Sequence, residues 1–278
     1  MAAINRSTDM TTGSIWKRMV SFAVPVFLGN LCQQLYNTVD SVIVGKFVGK
    51  QALAAVASSG NLIFMMTGFF MGLFIGAGIV IAQYFGARNY EKVRSAVHTD
   101  IAFALCCGVL LTLLGVFFTP TILTWMRTPA DVLSTSILYF RLYFLGSLAT
   151  ILYNAGMGIL QAVGDSRSPL YYLVISSVVN VALDLLFVGA MDMGVAGAAV
   201  ATVISQVVSA VLCIIKLTRS DGPYRLEIKR IGFDLPLLKK ITSQGVPSGV
   251  QNSIIAIANV VVQSNINTFG SDAMAGCG

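Results

Sequence analysis

Charged side chains are scarce in this chain of 278 residues, since Lys, Arg, Asp and Glu together make up 11% of it. Soluble domains usually carry about 25% charged residues. Hydrophobic residues reach 56% and the mean hydropathy is +0.79, so there are too few polar side chains to cover a water-facing surface. We therefore expect lipid to surround most of the chain.

Histidine is nearly absent, and the cysteines form no metal-binding pattern. His98 is the only histidine and stands beside Asp100 at the start of an apolar segment, where we expect an interfacial side chain. The five cysteines show no metal-ligand spacing. The chain therefore has few candidate residues for a histidine-based metal site or for a serine or cysteine triad. We expect neither an enzyme nor a cofactor.

Long apolar segments dominate the chain. A membrane-spanning helix needs about 20 largely apolar residues, and the pattern predicts an all-α, polytopic transmembrane helical bundle. The first segment is too long for a signal peptide and shows no obvious cleavage site, so we expect the N-terminus to be retained. The seven predicted spans lie near residues 17–45, 53–84, 95–118, 133–161, 169–190, 195–217 and 245–269.

The basic residues follow the membrane topology. The 18 Lys and Arg residues give a net charge of +6, but most of them fall in alternate loops, which is the positive-inside pattern. This pattern predicts a multi-pass protein of the plasma membrane with a cytoplasmic N-terminus. It also explains the charge without a nucleic-acid partner.

A polar break follows the sixth predicted span. We predict an N-terminal six-helix lobe over 1–217, a cytoplasmic linker over 218–244 and the start of a second lobe over 245–278. Within the linker, Phe233, Leu237, Leu238 and Ile241 recur at helical spacing beside two lysines. This arrangement predicts a helix that lies at the lipid interface.

The segment after the linker resembles the first span. Six spans separate the two copies, so both cross the membrane in the same direction, as in transporters built from two parallel halves. Chance similarity between two apolar helices is the alternative. At one constant offset, Val24-Pro25 matches Val246-Pro247, Asn30 matches Asn252, Asn37 matches Asn259, Val39 matches Val261 and Phe47 matches Phe269; after one deletion, 49–54 matches 270–275.

Two acidic residues, Asp40 and Asp184, fall well inside apolar spans. An ionisable group there is costly unless it faces the bundle interior or a wet cavity. Asn180 precedes Asp184 by four residues on one helical face, and Thr202 offers a hydroxyl group one span later. Carboxylate, amide and hydroxyl oxygens suit a hard cation such as Na⁺. The alternative is that the side chains only hold the helices together by hydrogen bonds.

The first span carries further polar residues, which we expect to line a cavity. An unusually polar stripe for a helix in lipid precedes Asp40, formed by Gln33, Gln34 and Asn37. Pro25 should disturb the local helical hydrogen bonding and predicts a bending point, with a static kink as the alternative. Small residues on the second span, among them Gly68, Gly72, Gly76 and Gly78, predict close helix packing.

Six motifs occur in order along nearly the whole chain. They are Pro25 with Asp40; Gly-Lys-Gln-Ala-Leu-Ala-Ala at 49–55; Gly-Ala-Gly-Ile-Val-Ile-Ala-Gln-Tyr-Phe-Gly-Ala-Arg at 76–88; Leu-Gln-Ala-Val-Gly-Asp-Ser at 160–166; Asn-Val-Ala-Leu-Asp at 180–184; and Gly-Val-Ala-Gly-Ala-Ala-Val-Ala-Thr at 194–202. Together these motifs resemble the multidrug and toxic compound extrusion (MATE) transporters, particularly their prokaryotic DinF-like branch.

The resemblance implies twelve helices in two lobes around a cavity, with small organic substrates exported in exchange for H⁺ or Na⁺. It places a cation site on Asp40, Asn180, Asp184 and Thr202, with Tyr139 as a further member. Most of the second lobe is missing before Gly278, so we expect a fragment of a longer protein that is monomeric when complete. The internal repeat places Val262 opposite Asp40, which would confine this coupling site to the first lobe.

Two other functions compete with export of cationic or amphipathic compounds. A flippase for lipid-linked precursors should turn basic residues toward its cavity, yet Arg141 is the only Lys or Arg well inside a predicted span. A membrane-embedded enzyme or a non-transporting partner protein would need a nucleophile, metal-ligand or cofactor motif near the acids, and we find none.

Overall fold

The computed structural model describes residues 14–270 and residue 273, and the described residues are helical with no strand. Apolar runs with few internal prolines favour long helices here. The helices are α1 (Ile15–Phe47), α2 (Lys50–Gly86), α3 (Tyr90–Trp125), α4 (Ala130–Leu145), α5 (Ser147–Ala162), α6 (Arg167–Asp184), α7 (Gly194–Arg219) and α8 (Leu235–Asn267), with a π-helical turn at Leu185–Ala190 and a 3₁₀ turn at Ile228–Arg230.

The helix lengths agree with a polytopic membrane protein. Among the described residues, five helices are long and apolar enough to cross a membrane: α2, α3, α6 with its π-helical turn, α7 and α8. The predicted span 133–161 is instead the pair α4 and α5, which bends by 49° and counts as a sixth span if it crosses as one. Gly146 lies at the bend.

The first predicted span differs from the others. Helix α1 has 33 residues and runs unbroken through Pro25, but it is not among the five helices that are apolar enough to cross a membrane. Its amide side chains and Asp40 lower its mean hydropathy. They suit a helix that turns one face toward water or protein rather than lipid.

The linker prediction needs correction. Helix α8 begins at Leu235 and continues to Asn267, so the predicted boundary at 244 falls inside a helix and no separate interfacial helix forms. Leu237 and Ile241 are buried rather than turned to lipid. The reason is that the apolar face of this segment packs against protein, and apolar spacing alone does not distinguish protein from lipid as the neighbour.

Helices α2 and α8 meet at a glycine crossing. Gly72 lies against Gly249, and Gly76 lies against Gly245, so closely that a β-carbon on Gly72 or Gly76 would overlap the facing backbone. Beyond the crossing, Asn252 donates through Nδ2 to the carbonyl oxygen of Gly68 at 3.1 Å. The predicted close packing of small residues therefore occurs on this face of α2.

A buried chain of amides continues the α2–α8 contact to the end of α3. Asn61 Nδ2 donates to Gln263 Oε1 at 2.9 Å, and Gln263 Nε2 donates to Asn267 Oδ1 at 3.0 Å. Asn267 Nδ2 then donates to the carbonyl oxygen of Met126 at 2.8 Å. These bonds fix α8 to α2 and to the end of α3.

The backbone supports the internal repeat. Helices α1 and α8 each have 33 residues with an internal proline. Each is followed by a matched glycine with positive φ, 104° at Gly49 and 93° at Gly270, a conformation that favours glycine. The matches that fall on 271–275 lie outside the described residues, apart from residue 273.

The surface shows which faces meet lipid. Large apolar side chains are exposed along the long helices, for example Phe117 at 72% and Val178 at 65%. The main apolar core lies among α2, α3, α4, α5 and α7. Helix α1 sits at the edge of this core, against α6, and this position places its polar face beside the candidate site.

Candidate functional site

Three helices, α1, α6 and α7, bring four of the predicted cation-site residues together. Asp40 lies two turns before the end of α1, and Asn180 and Asp184 occupy the last two turns of α6. Thr202 lies in the third turn of α7. All four are buried, with 7% of Asp40, 5% of Thr202 and none of Asn180 or Asp184 exposed.

The Asn180 amide connects α6 to α7. Its orientation follows from the hydrogen-bond network, since only one orientation satisfies both neighbours. In that orientation Asn180 Nδ2 donates to Asp184 Oδ2 at 2.8 Å, and Asn180 Oδ1 accepts from the backbone N–H of Thr202 at 3.3 Å. The spacing of four residues predicted the first contact, and the structure adds the second.

The two carboxyl groups form the centre of the site. Asp40 and Asp184 lie within hydrogen-bonding reach of each other. The Oδ1 atom of each carboxyl group is buried without a hydrogen-bond partner among the described residues. Two carboxylates in contact repel unless a positive charge lies between them. These oxygen ligands fit one shared proton or one hard cation such as Na⁺.

A tyrosine that the sequence analysis missed completes one side of the site. The Tyr36 hydroxyl lies within hydrogen-bonding reach of the Thr202 side chain, whose Oγ1 donates to the carbonyl oxygen of Ala198 at 3.0 Å. Tyr36 precedes Asp40 by four residues, so the helical spacing that pairs Asn180 with Asp184 would have found it.

Tyr139 belongs to the packing around the site. It is buried with 4% of its surface exposed, and it shares an apolar cluster with Ile43 and Val44 of α1 and with Val188. Its ring stacks on Tyr143 with the centroids 6.5 Å apart. The structure therefore places Tyr139 beside the turn of α1 that carries Asp40.

A π-helical turn follows Asp184 directly, over Leu185–Ala190. Such turns are rare and often mark functional sites. Apolar composition carries no signal for a π-helix, so the sequence analysis predicted an ordinary helix here. The wider turn carries the chain from the Asp184 carboxyl group toward the start of α7.

A polar cavity opens on the neighbouring face of α1. It has a volume of about 300 Å³, and Gln34, Asn37, Thr38 and Ser41 supply its polar wall. Of the three predicted lining residues, Gln34 and Asn37 line it. Gln33 does not, but its Nε2 donates to Asn37 Oδ1 at 3.4 Å.

A third buried acid was also missed. Asp100 is 1% exposed, and its Oδ1 has no hydrogen-bond partner among the described residues. The sequence analysis began the third span near residue 95, which put Asp100 at its edge. Helix α3 begins at Tyr90, so Asp100 lies almost three turns inside it.

Comparisons with known proteins agree with this architecture. The MatE family model matches residues 25–186. A relative from Bacillus subtilis, named as the probable multidrug resistance protein YoeA, is 34% identical over 95% of this chain and 59% of its own length. The chain thus spans about three-fifths of that relative.

Solved structures show the same fold. A crystal structure described as MATE in the bent conformation superposes with a TM-score of 0.86 at 26% identity, covering 98% of this chain and 61% of the other. A second, described as the straight conformation, gives 0.84 at 26% identity with the same coverage.

The long apolar helices around a buried polar site define a polytopic helical membrane protein. The chain belongs to the MatE family, because the family model covers more than half of it. The predicted membership is therefore confirmed at the level of the family.

Proposed function

We propose that this chain forms the ion-coupling lobe of a secondary antiporter that exports cationic or amphipathic organic compounds in exchange for H⁺ or Na⁺. Members of the MATE family are transporters rather than enzymes, and the B. subtilis relative carries a multidrug-resistance name. The observation that carries the coupling proposal is the contact between the buried carboxyl groups of Asp40 and Asp184.

The coupling follows from charge balance. With neither proton nor cation, the pair holds two negative charges on different helices, and their repulsion favours separation of α1 from α6. One positive charge removes that repulsion and lets the helices close. Occupancy of the site therefore biases the arrangement of α1, which is what an antiporter needs to link ion movement to substrate movement.

The neutral lining of the cavity favours organic cations over lipid-linked anions as the substrate. The residues that line it are neutral, with amide and hydroxyl groups on α1 and an apolar side from Val42 and Leu53. A flippase that handles pyrophosphate headgroups would place cationic side chains there. No Lys or Arg is found among the residues lining this cavity in the described part of the chain.

The test is transport by the complete protein in proteoliposomes under imposed ion gradients. We expect Asp40→Asn and Asp184→Asn each to abolish gradient-driven export of a cationic dye. Asp192→Asn is the matched control, because Asp192 is exposed and its φ of 52° suits Asn as well as Asp. Full coupling in both site variants would refute the proposal.

Separate gradients identify the ion. Export driven by a Na⁺ gradient at equal pH on both sides would assign Na⁺, and export driven by a pH gradient without Na⁺ would assign H⁺. The neutral Asn side chain should remove either response, because it replaces a carboxylate that must bind the positive charge.

Pro25 is proposed as the bending point of α1. Proline lacks the amide hydrogen that an unbroken helix uses, so one backbone hydrogen bond is missing inside α1 at this point. Spin labels on α1 at either side of Pro25 should report two distances in the complete protein, and Pro25→Ala should leave one. Two distances in both proteins would contradict this role.

A further inference from the structure

A second pocket, separate from the carboxyl pair, lies where α3 and α8 begin. Its volume is about 320 Å³, and it is lined by Arg94, Ser95, His98 and Thr99 from α3 and by residues between Arg230 and Asp234. The distribution of Lys and Arg predicts that this end of the bundle faces the cytoplasm.

Hydrogen bonds fix the segment before α8 onto α3. His98 Nε2 accepts from the backbone N–H of Glu227 at 3.0 Å, and its Nδ1 lies 2.7 Å from the carbonyl oxygen of Arg94. The imidazole is therefore neutral, with its proton on Nδ1. The backbone N–H of Asp234 donates to Thr99 Oγ1 at 3.1 Å. These contacts build the pocket without a ligand.

Two guanidinium groups dominate the pocket. Glu227 contacts both, with Oε1 at 3.6 Å from Arg94 and Oε2 at 2.9 Å from Arg230. The two arginine side chains remain 44% and 62% exposed, so most of their N–H donors are free for another acceptor. Ser95 and the backbone N–H of Gly232 have no hydrogen-bond partner among the described residues and add two neutral donors.

The acidic side chains near the pocket do not occupy all the N–H donors of the two arginines. The Asp234 carboxylate caps α8 by accepting from the backbone N–H of Leu237 at 3.2 Å. Glu227 is the only other acid that contacts the arginines among the described residues, and it bridges them as a phosphate group would.

Large apolar side chains are exposed on the same short segment, and one of them, Phe233, lines the pocket. Ile228 is 66% exposed, Phe233 is 50% exposed and Leu235 is 70% exposed. Apolar residues interleaved with cations are typical of a surface that lies against lipid headgroups and the first part of the acyl chains. A free anion would make no use of these side chains, whereas an amphiphile would.

We propose that this pocket binds the headgroup of an anionic phospholipid of the inner leaflet. The phosphate group accepts hydrogen bonds from Arg94 and Arg230 and competes with Glu227 for them, while the acyl chains run beside Phe233 and Leu235. Charge complementarity and the apolar rim together select a lipid rather than inorganic phosphate.

The test measures binding of phosphatidylglycerol to the purified full chain in detergent, by native mass spectrometry and by titration at 0.3 M salt. At that ionic strength charges beyond about 6 Å are largely screened. We expect Arg94→Gln with Arg230→Gln to weaken binding of the first lipid about 25-fold, since each basic residue at an anionic surface contributes a factor of about five. Phosphatidylcholine should bind more weakly than phosphatidylglycerol.

Two controls separate binding from structural damage. Lys229→Gln with Lys239→Gln removes the same charge outside the pocket lining and should change binding less than about threefold because of screening. Glu227→Gln should tighten binding, because it removes the competing carboxylate; if Glu227 only stabilised the segment, the same change would weaken binding. Equal losses in the two double variants, weaker binding in Glu227→Gln, or a pocket that binds inorganic phosphate but not phosphatidylglycerol would each overturn the proposal.

Discussion

The glycine crossing between α2 and α8 allows a sharp prediction about stability. Substituting Gly72 by Ala places a β-carbon on the backbone nitrogen and Cα of Gly249, with Ser248 also in contact. These neighbours are backbone atoms, so no side-chain rotation relieves the overlap. The helices must separate by about 1 Å or more to reach an ordinary contact distance of about 3.5 Å.

The expected cost follows from two opposing effects. Overpacking at a close contact costs about 3 kcal/mol. Replacing glycine by alanine inside a helix returns about 1 kcal/mol through helix propensity. The net loss is about 2 kcal/mol for Gly72→Ala. A chain of this size should then unfold about 4–8 °C lower.

Gly78 on the same helix provides the matched control. A β-carbon there lies 3.7 Å from the carbonyl oxygen of Gly158, which is ordinary van der Waals contact. Gly78→Ala should therefore keep the melting temperature or raise it slightly. Thermal unfolding of both variants in the same detergent, followed by size-exclusion chromatography, measures the difference. Equal melting temperatures would refute the close crossing of α2 and α8.

Three further predictions concern other contacts. Tyr36→Phe removes the hydroxyl group that bonds Thr202, and half-maximal export by the complete protein should need about threefold more coupling ion, as expected for one hydrogen bond; an unchanged requirement would contradict this role. Asn267→Ala leaves the Met126 carbonyl oxygen unpaired and should cost about 1–3 kcal/mol in thermal unfolding, whereas Asn265→Ala, whose amide bonds only its own helix, should cost little. With the coupling ion bound, Asp40→Ala should speed amide hydrogen exchange in α1 more than in α7, because it removes one of the two ligands that hold the loaded site closed; similar changes in both helices would contradict anchoring of α1 by this residue.

The sequence predicted the candidate site better than it predicted its surroundings. Asp40 and Asp184 stood out because a carboxyl group in lipid is costly, and helical spacing added Asn180. Both features are local, so they can be recognised in the sequence without knowledge of the fold. The hydrogen bond that the backbone N–H of Thr202 donates to Asn180 Oδ1 depends on how α6 and α7 pack, and no spacing within one helix contains that information.

The errors have a common physical cause. In a membrane protein, faces that meet lipid and faces that meet protein are both apolar, so periodicity did not show that Leu237 and Ile241 are buried in a long α8. The bend between α4 and α5 lies at Gly146, where an added β-carbon would lie 2.6 Å from the side chain of Val203 in another helix, a contact that the sequence of one helix does not contain. Asp100 was missed because the polar first turn of α3 resembles a loop.

The candidate ion site is also where α1 is anchored, and this links binding to movement. Only Asp40, Ile43 and Val44 are fully buried among the 33 residues of α1, so its most deeply buried part is the turn that carries Asp40 and the turn after it. Two carboxylates about 4 Å apart repel by about 4 kcal/mol at the effective dielectric near a protein surface. Packing of two aliphatic side chains in lipid lacks the hydrophobic driving force that it has in water. The charge state of the pair should therefore outweigh that packing and decide whether α1 stays docked.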